Sequence, residues 1–140
     1  MLNLFIPKQQ TTLTSVAFLI LRVVVGLAFI LHGYGKIQNP MAWMGPDSPI
    51  PGIFQFLAAF SEFAGGIALI IGLLTPLASL GMASTMVVAT AFHALVQKDP
   101  FVSKGGPSYE LALVYLCILL VIIAVGPGKL SLDAKIFRKK

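Results

Sequence analysis

Charge is what this chain has least of: of 140 residues only 11% are Asp, Glu, Lys or Arg, while 57% are hydrophobic. A soluble domain carries about a quarter charged residues, and a mean hydropathy of +0.91 over this length excludes an ordinary water-soluble fold. Cysteine is almost absent. With Cys117 alone, the chain cannot close an internal disulfide, form a C-x-x-C dithiol or attach a haem through C-x-x-C-H. The formal charge of +5 does not point to nucleic acid, because half of the ten cations sit in the last twelve residues beside an apolar run and no nucleic-acid motif accompanies them. Anionic lipid headgroups fit that basic tail better.

What is abundant is long apolar runs. A hydrocarbon core about 30 Å thick takes roughly 20 residues of helix, and four stretches qualify: about 15–34, 53–74, 76–96 and 109–125. They predict an all-α fold, a polytopic membrane protein built as an antiparallel four-transmembrane-helix bundle, with residues 1–140 as a single domain and a basic tail over 127–140. The first run reads as a permanent helix and not as a cleaved leader: Lys8 alone is a poor basic flank, Arg22 interrupts the core and no A-x-A site follows.

Cations orient the bundle. Lys8, Lys129, Lys135, Arg138, Lys139 and Lys140 flank the two termini, against Lys36, Lys98 and Lys104 in the opposite loops, so both termini are expected in the cytoplasm. The loop "QNPMAWMGPDSPIPG" is rich in Pro and Gly and should be irregular, with Trp43 resting at the interface. In "LLTPLAS", Thr75 is expected to cap the third helix and Pro76 to occupy its first turn. Pro107 and Ser108 signal the start of the fourth helix, Gly126 and Pro127 its end, and the tail beyond is expected to lie along the cytoplasmic interface. A faint echo between "AFILHGYGKIQNP" and "ATAFHALVQKDP" suggests two fused hairpins.

Ionisable groups at membrane depth are costly and by default face the bundle interior. Five lie in or at the ends of these runs: Arg22, His32, Glu62, His93 and Glu110. At a rise of about 1.5 Å per residue, Arg22 and Glu62 differ in depth by about 6 to 7 Å, which predicts an ion pair sewing the first helix to the second. On a helical wheel, Arg22, Gly26, Phe29, His32, Gly33 and Lys36 share one side, and Glu62 shares its face with Gln55, Ala58, Ala59, Gly65 and Gly66, small residues that admit a close neighbour. His32, His93, Glu110 and Lys36 all lie within roughly 6 Å of the outer boundary, so they can converge with Glu62 on one outer-half cavity. Lys36 is expected to snorkel outward, and Cys117 to serve packing.

Three chemistries suit that cavity. Two histidines on different helices can ligate a haem b; His32, His93, Glu62 and Glu110 are acceptable metal ligands, although no i, i+4 spacing specifies a metal; and histidines with carboxylates in low dielectric can handle protons for a quinone-type ligand without a tightly held cofactor. In this last reading His32, Glu62, His93 and Glu110 are the acid–base residues, and Arg22 and Lys36 hold the ligand.

With these residues in place the sequence resembles the DoxX family of small four-helix bacterial membrane proteins, over nearly the whole chain. The resemblance is carried by "LRVVVGLAFILHGYGKI", "SEFAGGIALIIGLLTPLASLGMA", "AFHALV" and "SYELALVYLCILLVIIAVGPGKLSLD". It implies an inner-membrane location and redox work, since some relatives are membrane subunits of a thiosulfate to quinone oxidoreductase and others are linked to quinone or thiol stress. It also marks Arg22, His32, Lys36, Glu62, His93 and Glu110. The expected function is therefore a quinone-linked oxidoreductase component, whose partners are the bilayer, membrane quinone and other redox subunits. A non-catalytic scaffold for soluble redox proteins, or a transporter in which Arg22 pairs with a small anion, stays open, as does a homo-oligomer, because four helices are few for alternating access unless the protein dimerises.

Overall fold

The computed structural model describes residues 5–6 and 11–137, so Lys8 and the three terminal cations used for orientation lie outside the described residues. Helix α1 spans Thr12–Gln38, α2 Gly52–Ile71, α3 Thr75–Ala91 with a π-helical turn Phe92–Val96 continuing it, α4 Glu110–Val125 and the short α5 Leu132–Ile136. The first four form an antiparallel transmembrane bundle, and among the described residues there is no strand. At about 1.5 Å per residue α1 is roughly 40 Å long and α4 roughly 24 Å, one longer and one shorter than the hydrocarbon core.

Apolar side chains cannot drive association in lipid as they do in water, so close backbone packing takes over. It is tightest between α1 and α2: a Cβ on Gly26 would stand 2.7 Å from the carbonyl oxygen of Gly66, one on Gly66 2.7 Å from that of Gly26, and one on Gly33 2.6 Å from the amide nitrogen of Phe63. The buried apolar core runs through Phe18, Val25, Phe29, Leu69, Met82, Met86, Leu119 and Ile122. Large side chains outside it, such as Leu13, Ile20, Leu31, Phe60 and Leu77, are exposed and face lipid. Cys117 is exposed on the outer surface of α4, not packed in the core as expected.

The end of the bundle that holds the α2–α3 turn is locked by polar contacts. Arg22 is 1% exposed; its Nε donates to the carbonyl of Leu69 (2.9 Å), Nη2 to that of Ile70 (3.0 Å), and Nη1 to those of Pro127 (2.6 Å) and Leu130 (3.1 Å). Leu69 and Ile70 belong to the last turn of α2, whose carbonyls lack helical partners and carry its partial negative charge. The expected Arg22–Glu62 ion pair is therefore not formed: the arginine reaches toward the nearer helix end and the chain that folds over it.

A second correction concerns α3. Its N-cap is Leu74, in the left-handed region at φ 48°, ψ 37°, and Thr75 does not cap. The carboxylate of Asp133, 0% exposed, accepts from the amides of Leu74 (2.7 Å) and Thr75 (2.8 Å). The Asp133 amide in turn donates to Gly72 (2.8 Å), and Ser131 caps α5 by accepting from Ala134. The segment after α4 thus docks against the helix ends up to Asp133. Pro76 sits in the first turn of α3 as expected.

Asp133→Ala leaves two amides at the start of α3 without an acceptor, a loss of about 1–3 kcal/mol. Asp133→Asn keeps one acceptor and costs less. Thermal unfolding in detergent should rank them wild type, Asn, Ala; an Ala variant that melts with wild type contradicts the cap.

Candidate functional site

The opposite end of the bundle is open and polar. The carboxylate of Glu62, whose side chain is 2% exposed, receives Lys36 Nζ at 2.7 Å on Oε1 and 2.6 Å on Oε2. A glutamate on the apolar midsection of α2 needs a cation, and Lys36, in the last turn of the long α1, supplies it by bending inward. Its stem is flexible, and burial of the carboxylate makes the inward pose favourable over the outward snorkelling expected from sequence.

Aromatic and amide groups fix this pair from above. Lys36 Nζ lies 4.6 Å from the ring centroid of Trp43, within cation–π range. The Trp43 indole donates to the carbonyl of Gln55 (3.0 Å). The Gln55 side chain, on the Glu62 face of α2 and buried, accepts from the Met44 amide (3.1 Å) and donates to the Ile50 carbonyl (2.8 Å). Trp43 is therefore held over the ion pair by α2, and the loop that carries it is tied to Gln55 again at Met44 and Ile50.

His93 is placed by the π-helical turn. The wider turn, closed by the amide of Gln97 on the carbonyl of Phe92 (3.0 Å), rotates the chain relative to a regular helix, a device frequent at functional sites. Beyond it Lys98 takes φ +56°, the chain reverses, and Asp99 returns to place its carboxylate 2.7 Å from His93 Nδ1. Sequence reasoning alone does not single out Asp99. Its signal is the sixth position after His93 in "FHALVQKD", in a segment read only as a loop.

Two cavities meet at these groups. A groove of about 860 Å3 runs between α2 and α3, walled by Phe54, Leu57, Ala58, Gly81, Thr85 and Val88 and ended by Lys36, Trp43, Glu62 and His93. Phe54, Leu57 and Val88 are exposed on the outside of the bundle, so the groove opens sideways toward lipid. A smaller cavity of about 190 Å3 lies between α1, α3 and α4 and is lined by His32, Lys36, Glu62, His93, Ser108 and Tyr115, among others. His32 meets Tyr115 edge to face at 6.4 Å between ring centroids.

Of the residues expected from sequence, the structure brings His32, Lys36, Glu62 and His93 around one point. It separates two. Glu110 lines neither cavity; it stands in the first turn of α4, where a negative charge favours the helix macrodipole. Arg22 is at the far end with four of its five N–H donors on backbone carbonyls, so it cannot hold a ligand at this site, and the anion-pairing basis of a transporter falls away. The space shared by the two histidines is below the roughly 300–1,000 Å3 of ordinary ligand pockets, too small for a haem between them. Among the described residues no three of His, Cys, Asp and Glu gather as a metal-binding group.

Comparison with known proteins agrees with this architecture. The DoxX family model matches residues 17–95, which span Arg22, the paired glycines, the ion pair and His93, and the chain belongs to that family. It is 34% identical over 123 residues to an uncharacterized Haemophilus influenzae protein, covering 85% of this chain and 90% of the relative. It is 29% identical to the Escherichia coli "Inner membrane protein YqjF", covering 91% and 97%, and 28% identical to the Bacillus subtilis "Putative oxidoreductase CatD", covering 90% and 91%. No solved structure matches the chain.

Removing one member of a buried ion pair strands the other and costs about 3–5 kcal/mol, whereas replacing both by apolar residues of similar volume is near neutral. Glu62→Leu and Lys36→Met should each lower the melting temperature sharply, and the double variant should recover most of the loss. Additive losses in that double-mutant cycle would show that the pair is not coupled.

Proposed function

We propose that this protein is a membrane component of a quinone-linked redox system in the bacterial inner membrane, with both termini in the cytoplasm and the whole chain acting as one domain. The observation that carries the reading is the lateral groove: it is apolar along its walls, open to lipid, and ends in a set of hydrogen-bonding groups in which Lys36 and Glu62 are paired with each other. Such a site suits a molecule that travels in the bilayer and carries a neutral ring with carbonyl or hydroxyl oxygens. Lys36 and His93 can donate to ring oxygens, Trp43 can stack on the ring, and Glu62 with His93 can hold or pass a proton in low dielectric. His32 serves from the smaller cavity.

The E. coli relative's name supports the inner-membrane location, and the B. subtilis relative's name the redox class. Lys129 and Lys135 at the Arg22 end support the orientation. Electrons are left to partner redox subunits, since the residues that meet here handle protons and hydrogen bonds but include no thiol pair.

Trp43 is the single tryptophan and lines the groove, so it reports on occupancy. A short-chain quinone added to the protein in nanodiscs should quench its emission saturably. In the Lys36→Met/Glu62→Leu double variant the affinity should fall about tenfold, the size expected for one lost charge-assisted hydrogen bond of about 1.5 kcal/mol. Purely linear quenching with every quinone tried would sink the proposal.

A further inference from the structure

We infer that the Lys36–Glu62 pair is reached from two media: an uncharged amphipathic ligand arrives from lipid along the α2–α3 groove, and water arrives through the smaller cavity on the other side. Lys36, Glu62, Ala89 and His93 line both spaces, so they form the partition between them. The two walls differ in chemistry. Toward lipid the partition faces a long apolar groove; toward the helix ends it faces His32, which is exposed, together with Tyr115 and Ser108 of the segment preceding α4.

The charge of the partition selects what can approach from lipid. Lys36 donates to both oxygens of Glu62, so the end of the groove carries one positive and one negative group in contact. An anionic headgroup brought there would face the carboxylate and a cationic one the ammonium, each giving up its hydration shell to an apolar groove, whereas a neutral polar head meets donors and acceptors alone. From the other side, a cavity of about 190 Å3 exceeds the roughly 30 Å3 occupied by one water, and His32, Lys36, Glu62, His93, Ser108 and Tyr115 offer the several polar partners that each water needs. A proton released to or taken from a ligand in the groove therefore exchanges with water across the partition without passing through lipid. This deepens the proposed function and rests on it only for the identity of the ligand as a quinone.

Ala89 is the probe position, because it touches both spaces and a cysteine there adds little volume. The test uses the full chain in nanodiscs with Cys117→Ala, which removes the native thiol, and Ala89→Cys. A charged methanethiosulfonate samples the aqueous route and a pyrenyl maleimide the lipid route. Both should label Cys at position 89. Because a well-packed interior leaves no passage past a filling side chain, Val88→Trp in the groove should slow the maleimide about tenfold and leave the methanethiosulfonate rate nearly unchanged, and Ala112→Trp in the smaller cavity should do the reverse. Gel filtration checks that each variant is folded; Ser84→Phe and Leu111→Trp replace any that is not. Labelling by one reagent only, or a tryptophan that slows both reagents equally, overturns the two-route inference. The outcome is independent of Trp43 quenching: loss of the quinone result with this pattern intact removes the ligand's identity and keeps the routes.

Discussion

Helix α1 carries two cations into a low-dielectric bundle, and much of the molecule's polar construction satisfies them. Arg22 and Lys36 are fourteen residues apart, about 21 Å along a helix, so they act at opposite ends of the bundle. Each is answered by a different kind of partner. Arg22 takes backbone carbonyls from α2 and from the chain after α4, and Lys36 takes a carboxylate from the middle of α2. The choice of partner decides what each end can do. A guanidinium spread over four carbonyls is a rigid fork, whereas a lysine–carboxylate pair at the edge of a cavity keeps lone pairs and protons within reach of a ligand.

The ends differ accordingly. At the Arg22 end, Asp133 adds the cap that α3 lacks from its own sequence, and the Gly72–Leu74 turn, Pro127–Leu130 and Asp133 close on one another. At the Lys36 end α2 and α3 leave the groove between them, and the π-helical turn sends His93 toward its end. The close glycine contacts of α1 with α2 hold the ion pair's two helices together between these extremes, so the open end is a cavity supported by a locked base.

Much of this was legible in the sequence. The hydropathy runs set four helices, and rise arithmetic placed His32, Lys36 and His93 at one level, where the structure brings them together with Glu62. The partners were harder. Depth alone matches Arg22 to Glu62 because the sequence displays side-chain charges but not orphan carbonyls, and at the end of α2 those carbonyls are nearer. Position near the boundary points Lys36 outward, because the depth of its Cα says nothing about the reach of its stem. Depth alone counts Glu110 into the cavity, yet it lines neither space, and α4 contributes Leu111, Ala112 and Tyr115 to the smaller one. Asp133 closes one of the stretches that carry the family resemblance but has no role legible there, and Asp99 stands in a loop, because each acts only after the chain folds back, across 59 residues to Leu74 in one case and around a left-handed Lys98 in the other.

The same physics bears on why a small bundle would place an ion pair at such a junction. A hydrophobic pair at these positions would pack with less desolvation cost, so stability alone does not favour Lys36 and Glu62. A pair kept despite that cost, with its lysine partly exposed, an indole over it and cavities on both sides, has the properties of a group meant to exchange partners: each member can release one hydrogen bond to a ligand while the other still neutralises its charge. Arg22, which lines neither cavity, has no comparable freedom. The contrast between two cations on one helix, one closed in by carbonyls and one left at a junction, is what separates architecture from candidate chemistry in this fold.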